Sequence, residues 1–425
     1  MQTQALKKRM NGPDLLILTQ WFPPEHAPIG HMLSELAQYM QNQGRQVEVV
    51  TGFPNHPGGV VIPPYKKRWL LRETLFGIPV TRLWLFTSPK RSFLTRALNF
   101  LSFVARTTIY LLFCKRPTVV FAVLQPLPLG FTLVLLSKIR GFKVIFNVQD
   151  LHPDVMIELG LIKNTVVKRM LLGIERFAYR NSDALSVICK GFDAHVRSRG
   201  ARGSVAIIPN WIDVDEIKPA KPAGTLLATA HIPADAKVVL YAGTLGHVSG
   251  AVVTLRAARL ARQRSDVFWL IVGEGPVLPQ LLEQAKAEGL NQVRFLPFQP
   301  RAMLAELQNS ATVSMVTLLP GKGLFSVPSK VLGYMAAGKP VVASVDADSE
   351  TARLVRVSNC GKVVSAGDEL QLWQALESYL DNPSEASVAG QQGRLYLEGH
   401  FSRQVVCKQY SQFFNQFLDS SEIAP

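Results

Sequence analysis

Three glycines, Gly243, Gly246 and Gly250, follow a short β-branched run at residues 238–241 and precede a helical pattern that starts near Val252. Glycine lets the main chain approach a ligand closely, and the free amides at the start of the following helix attract an anion. Phosphate suits such a turn, although a tight turn without a ligand uses the same residues. Pro328-Ser329-Lys330 has the composition of a helix start. Ser329 is able to cap it, and Lys330 can reach a negative group near the first turn. An ordinary surface lysine reads the same way, but the two features in one half of the chain together favour a phosphate site. Two other loops carry polar and aromatic side chains: residues 21–30, from Trp21 to Gly30, and Gln149-Asp150-Leu151-His152-Pro153-Asp154.

All four segments follow apolar runs of strand length, and in open parallel sheets ligands lie beyond the carboxyl ends of the strands. The runs at 15–19, 47–51, 80–85, 119–124, 144–147, 184–188 and 205–208 alternate with helical patterns such as 30–43. A second series follows at 238–241, 267–272, 293–296, 311–316, 340–344 and 361–364. This alternation predicts an α/β protein of βαβ units with helices on both faces of mostly parallel sheets. Residues 215–233, with Lys218, Pro219, Lys221, Pro222 and Gly224, have linker composition. The expected organisation is therefore two Rossmann-like domains, 1–215 and 216–400, followed by a C-terminal helix within 401–425 that crosses back toward the first domain. No short repeat or low-complexity tract interrupts the 425 residues.

The net charge of +15 is unevenly spread. Residues 1–215 carry 27 Lys+Arg against 13 Asp+Glu, whereas the remainder carries 19 against 18. Such a field attracts nucleic acid, anionic lipid headgroups or a phosphorylated substrate, and it also serves solubility; charge alone does not choose among these. The four cysteines, Cys114, Cys189, Cys360 and Cys407, are too few and too scattered for a disulfide scaffold or a metal site, which fits a reducing compartment. Met1 to Gly12 is polar and basic and lacks a signal-peptide core, so a cytoplasmic chain is expected. The apolar stretch 118–137 is broken by Pro126 and Pro128, predicting a buried strand at 119–124 and a helix at 129–139 rather than a membrane span. The stretch 93–113, interrupted by Arg96 and Arg106 and flanked by Lys90, Arg91, Lys115 and Arg116, reads either as a core helix or as one lying in a membrane interface; the basic surroundings favour the interface.

Several short segments carry a resemblance. Trp21-Phe22-Pro23-Pro24-Glu25, Thr51-Gly52-Phe53-Pro54-Asn55, Gln149 to Pro153 and Pro209-Asn210-Trp211-Ile212-Asp213 lie in the first half. Tyr241 to Gly246, Val272-Gly273-Glu274-Gly275-Pro276, Pro328 to Lys330 and Ala337-Gly338-Lys339-Pro340-Val341-Val342 follow in the second. In order and spacing, over about residues 14–415, this series resembles family 4 retaining glycosyltransferases, especially the branch that builds bacterial capsule, O-antigen and colanic acid repeat units.

The resemblance implies a GT-B architecture, two Rossmann-like domains whose parallel sheets face an interdomain cleft. The first domain would hold the acceptor and the second a UDP- or GDP-sugar. Gly243, Thr244, Gly246, Ser329 and Lys330 would hold the diphosphate, Glu274 and Phe298 would lie near the base, and Gly30 would bring a helix start toward the phosphates. Asp150 and His152 would face the sugar and the acceptor hydroxyl as proton acceptor or orienting partners. No metal and no other cofactor is implied, because amides and basic side chains stabilise the leaving diphosphate. The acceptor would be a polyprenyl-diphosphate-linked saccharide, on the anionic cytoplasmic face of the inner membrane, and nucleic acid is not an expected partner. Two departures stand out. A Glu-x7-Glu pair common in the family is replaced by Phe325 and Gly333, and Arg and Lys of the Gly-rich loop by Thr244 and Ser249. Glu350 could then take a ribose or sugar contact, or serve as an acid at a helix start capped by Asp348 or Ser349. A sugar-nucleotide epimerase on the same fold and a non-catalytic partner subunit are the alternative readings.

Overall fold

The computed structural model describes residues 12–25, 27–56, 58–66, 68–90, 92–158, 160–322 and 329–419. Pro328 and Phe325, on which two of the sequence expectations fall, lie outside the described residues. The chain divides into two compact units: unit 1 runs through Pro209 and resumes at Val406, and unit 2 is Asn210–Val405.

In unit 1, β1 (Leu15–Leu18), α1 (Pro28–Asn42), β2 (Val47–Gly52), β3 (Leu70–Leu75), β4 (Ile78–Leu83), α2 (Phe93–Phe113), β5 (Val119–Val123) and α3 (Pro128–Arg140) come first. They are followed by β6 (Lys143–Val148), α4 (Asp154–Glu158), α5 (Thr165–Asn181), β7 (Ala184–Val187), α6 (Lys190–Ser198) and β8 (Ser204–Ile207). The strands form one sheet in the order β3-β4-β2-β1-β5-β6-β7-β8, parallel except for the β3–β4 pair. β1 and β5 are buried along their whole length, which is why they read as unbroken apolar runs. The apolar stretch 118–137 resolves into β5 and α3, as the prolines required. Pro128 occupies the first turn of α3, where its missing amide costs nothing, and Gly141 ends the helix in the left-handed conformation. Helix α2 covers the whole 93–113 stretch, with Ser92 capping it by accepting from the Thr95 amide at 3.2 Å. None of the described helices is long and apolar enough to cross a membrane.

Among the described residues, β3 is the one strand that the periodicity did not predict. It is an edge strand whose residues alternate between exposed and half-buried, so its Leu-Leu-Arg-Glu-Thr-Leu sequence lacks the apolar signature of the interior strands.

In unit 2, α7 (Thr225–Thr229) leads into β9 (Lys237–Ala242), α8 (Val252–Leu260), β10 (Val267–Val272), α9 (Leu278–Ala287), β11 (Val293–Leu296), α10 (Leu304–Asn309) and β12 (Val313–Thr317). Then come α11 (Ser329–Ala336), β13 (Val341–Ser344), α12 (Glu350–Val357), β14 (Gly361–Val364), α13 (Glu369–Asp381) and α14 (Pro383–His400). The six-stranded sheet is parallel throughout, in the order β11-β10-β9-β12-β13-β14. Alternate residues of β9 feed two cores. Val238 and Leu240 pack with Val331, Tyr334 and Ala352, whereas Val239 and Tyr241 pack with Leu255, Trp269 and Leu376.

The last helix, α15 (Arg403–Leu418), belongs to unit 1 from Val406 onward. There the Tyr410 hydroxyl accepts from Asn147 of β6 at 3.0 Å, and Phe414 meets Phe121 of β5 edge-to-face with ring centroids 4.9 Å apart.

Candidate functional site

The loops that carry the unit 2 candidates leave the carboxyl ends of neighbouring strands. Phe298 follows β11, Glu274 follows β10, the glycine turn follows β9, Ser329 and Lys330 come after β12, and Glu350 comes after β13. Sheet order thus brings together five segments spread over more than a hundred residues. The glycine turn is fixed from both sides. The Gly243 amide donates to Val272 O at 2.8 Å and the Leu245 amide to Glu274 O at 2.9 Å, tying it to the β10 loop. At its far end the Leu319 amide donates to Val248 O at 3.1 Å and the Thr317 hydroxyl to Ser249 O at 2.7 Å.

Two of the three glycines are required by the backbone. Gly243 has φ +141° and Gly250 φ +62°. A Cβ at Gly243 would stand 2.3 Å from Lys330 Cε, and one at Gly250 would stand 2.8 Å from the Leu318 carbonyl carbon. Gly246 keeps an ordinary φ, and a Cβ there would meet nothing nearer than a Thr244 methyl at 3.9 Å, so that side of the turn is open.

Lys330 lies over this turn. Helix α11 begins at Ser329, whose side chain is exposed, and the next residue projects its ammonium to the Tyr241 hydroxyl at 2.8 Å and over the Tyr241 ring at 4.3 Å from the centroid. Tyr241 in turn donates to Thr244 O at 3.2 Å, and Tyr334, one turn along α11, accepts from the Ala242 amide at 2.9 Å. Burial pushes the Lys330 ammonium down to about 8, and burial pushes the Tyr241 phenol up to about 12. Among the described residues Lys330 has no carboxylate partner. A desolvated cation without an anion beside open main chain is an arrangement that an anionic group completes.

The remaining unit 2 candidates are less closely drawn in. Thr244, Glu274 and Phe298 are exposed at the same sheet edge. Glu350 opens α12, where Ser349 is the cap, accepting from the Ala352 amide at 3.1 Å, and the Glu350 carboxylate pairs with Arg353 at 2.7 Å. Gly333, where the family resemblance leads one to expect a carboxylate, faces Gln308 of α10; a Cβ there would lie 3.2 Å from Gln308 Nε2.

Gly30, Asp150 and His152 belong to unit 1. Gly30 lies in the first turn of α1 because a Cβ would meet Trp21 O at 2.9 Å. Asp150 is exposed, and its carboxylate stands 4.0 Å from His152 Nε2, too long for a hydrogen bond; Gln125 Nε2 approaches the same ring nitrogen at 3.4 Å. His152 Nδ1 is buried without a protein partner among the described residues. The loop is anchored one turn later. Asp154 accepts from Arg199 at 2.6 Å and stands 3.5 Å from His195, and Arg199 and His195 also face the fully buried Glu175, at 3.6 and 3.2 Å.

Two family models match this chain: one described as Glycosyl transferases group 1 over residues 236–382, and one described as Glycosyl transferase 4-like domain over residues 29–211. The chain carries a group 1 glycosyltransferase domain in its second half and a glycosyltransferase 4-like domain in its first. The resemblance read from the motifs is therefore correct, and the first model spans the glycine turn, Lys330 and Glu350. This glycosyltransferase is 27% identical over 341 residues to WcaI of Escherichia coli, a glycosyl transferase named for colanic acid biosynthesis, covering 78% of the chain and 83% of WcaI. Its fold matches sucrose-phosphate synthase from Thermosynechococcus elongatus with a TM-score of 0.74 at 18% identity, over 96% of this chain and 99% of that one. It also matches Anabaena HepE, solved in complex with UDP-glucose, with a TM-score of 0.69 at 16% identity, over 95% and 100%. The glycosyltransferase thus has the GT-B fold, with a parallel-sheet α/β domain in each unit.

The motifs did not reveal every side chain at these sites. Tyr241 accepts from Lys330 across 89 residues of sequence, and Tyr334 braces the turn by accepting from the Ala242 amide across 92; local spacing signals neither of these long-range contacts.

Proposed function

We propose that this glycosyltransferase takes a sugar from a UDP- or GDP-sugar and transfers it, with retention of configuration, to a polyprenyl-diphosphate-linked saccharide during bacterial surface polysaccharide synthesis. The observation that carries the donor half of this reading is the uncompensated Lys330 ammonium over the Gly243 turn. A diphosphate there would receive the Lys330 charge and the amides at the start of α8, and both interactions strengthen as the sugar departs and negative charge gathers on the leaving phosphate. The reading assigns that charge to protein groups rather than to a metal or another cofactor. Exposed Phe298 and Glu274 are suited to the base and ribose, and the exposure of Thr244 and Ser329 suits hydrogen bonds to phosphate oxygens. Gly30 is proposed to admit the donor's phosphates to the α1 start, and Glu350 to support the sugar while held by Arg353. Asp150 and His152 are proposed to orient the transferred sugar and the acceptor hydroxyl. The name of WcaI supports the polysaccharide context, and the UDP-glucose bound by HepE supports the donor class.

The acceptor half is proposed to lie on the anionic cytoplasmic surface of the inner membrane, and no nucleic-acid partner is proposed. Leu94, Leu98, Leu101 and Ile109 form an exposed stripe at helical spacing on α2, with Phe113 at 83% exposure closing its end. Phe131, Leu135 and Ile139 are exposed on α3, which packs beside α2. Lys115, Arg116 and Lys138 border these helices, so apolar burial and attraction to anionic headgroups act together.

The deciding experiment is a thermal-shift series with UDP- and GDP-sugars, followed by transfer to a polyprenyl-diphosphate sugar in the presence of EDTA. The reading requires at least one nucleotide-sugar to raise the melting temperature. It also requires a lipid-linked product that keeps the donor's anomeric configuration.

A further inference from the structure

Two helices of unit 2 share one core, α10 through Leu307 and α11 through Val331, Leu332 and Tyr334. Gly333 stands one turn beyond Lys330 in α11, so the two lie on the same face of that helix. No side chain leaves α11 at Gly333. The space is taken instead by Gln308 of α10, whose Nε2 and Cδ lie 3.2 and 3.4 Å from where a Cβ would stand. The glycine and the glutamine are therefore complementary, since a larger residue at 333 would push the carboxamide aside.

Gln308 is 9% exposed, and its Oε1 is buried without a hydrogen-bond partner among the described residues. Its polar neighbours are engaged. Glu306 accepts from the Leu226 amide at 2.8 Å, and Asn309 accepts from the Ala220 amide at 2.8 Å while donating to Lys218 O at 2.9 Å. The Ser310 hydroxyl donates to Leu307 O at 2.7 Å. These bonds tie α10 to residues 218–226 and so fix where the Gln308 carboxamide lies. A carbonyl oxygen only accepts, and burying one unpaired is costly enough that native proteins rarely leave it so. An O–H or N–H donor from a ligand would complete it.

The elements on either side indicate which donor. The loop after β11 carries Phe298, suited to the base, and leads into α10. The facing helix α11 begins with the Lys330 ammonium over the Gly243 turn, suited to the diphosphate. In a nucleoside diphosphate the ribose lies between base and diphosphate, and it carries two adjacent hydroxyls. We propose that Gln308 is the ribose-binding residue of this chain: Oε1 accepts from one ribose hydroxyl, and Nε2, beside Gly333, donates to the other. A carboxamide, with both a donor and an acceptor, matches such a diol. Neither Gln308 nor Gly333 is charged, so this ribose site is neutral and leaves the Lys330 charge to the diphosphate. The inference rests on the nucleotide-sugar donor of the proposed function and names the residue that reads its ribose.

The test is calorimetric titration of the full chain with UDP and GDP, and with the 2′-deoxy and 3′-deoxy forms of each. A ribonucleotide that binds should bind about fivefold or more tightly than at least one of its deoxy forms. Gln308→Leu replaces an unpaired buried oxygen with an apolar group of similar shape. It should bring the ribo and deoxy forms to equal affinity and leave the melting temperature of the free protein unchanged or higher. Gln308→Ala/Gly333→Glu clears the space and sets a carboxylate on the facing helix, and it should regain the preference. Four results would each overturn the assignment: equal affinity in the wild type, a preference kept by Gln308→Leu, a lower melting temperature in that variant, or a double variant that binds nucleotide without preference. Absence of binding by both UDP and GDP would instead overturn the donor reading itself, so the two failures are distinguishable.

Discussion

Lys330 and Gly243 are in direct contact: the lysine stem runs so close to the Gly243 main chain that a Cβ at that residue would stand 2.3 Å from Cε and 3.0 Å from Nζ. The glycine and the cation therefore form one device, a turn that leaves room for an ammonium to lie across it.

Gly243→Ala should displace Lys330 and strain a backbone at φ +141°. The expected outcome is a stability loss of about 1–2 kcal/mol in urea unfolding, accompanied by at least a tenfold weaker nucleotide-sugar response. Gly246→Ala, with an ordinary φ and open space, should leave stability nearly unchanged.

Lys330→Ala should weaken nucleotide-sugar binding by at least tenfold, about 1.4 kcal/mol, in a calorimetric titration. Full retention of donor affinity in this variant would remove Lys330 from the diphosphate site.

The depressed ammonium gives that site a pH signature. With Lys330 lowered to about 8 from its ordinary 10.5, the free protein loses the proton as pH rises through 8. Donor affinity should therefore fall above pH 8 in the wild type and become flat with pH in Lys330→Met. Stability should move the other way. Between pH 8 and 10.5 the unfolded chain holds a proton at this residue that the folded chain lacks, so this group's contribution to folding rises with pH.

Replacing Leu94, Leu98 and Leu101 together by Ser should reduce sedimentation with phosphatidylglycerol vesicles by about tenfold or more, because three exposed apolar side chains lose their burial in the interface. The melting temperature should change little, since all three side chains are exposed rather than part of the core. Raising salt should weaken wild-type binding by screening the basic border. Undiminished vesicle binding by the triple variant would show that this stripe is not the membrane-facing surface.

Arg199→Ala should cost about 3 kcal/mol of stability. It removes the guanidinium that accompanies the fully buried Glu175 and holds Asp154 at 2.6 Å, leaving two carboxylates around His195. Urea unfolding of the variant measures this loss directly; a change below about 0.5 kcal/mol, the usual effect of a surface substitution, would show the cluster to be unimportant.

The alternation of apolar runs with helical patterns was enough to fix an α/β chain and the ends of the strands where chemistry belongs. Interior parallel strands are buried on both faces and so leave an uninterrupted apolar record, whereas the edge strand Leu70–Leu75, half in solvent, leaves none. The pairing of Glu350 with Arg353 was also within local reach, at i,i+3 on one helix face.

Sequence by itself determined the family, through motifs in order, and the identity of the cation at the head of α11. Tertiary structure decided what that cation does. Sheet order brings Tyr241 to Lys330 and Ala242 to Tyr334, sets Gln308 against Gly333, and joins Gln20 to Asn99 across 79 residues. Local periodicity records which face of an element is buried, but a pocket depends on which elements become neighbours, and that is settled only when the sheets assemble.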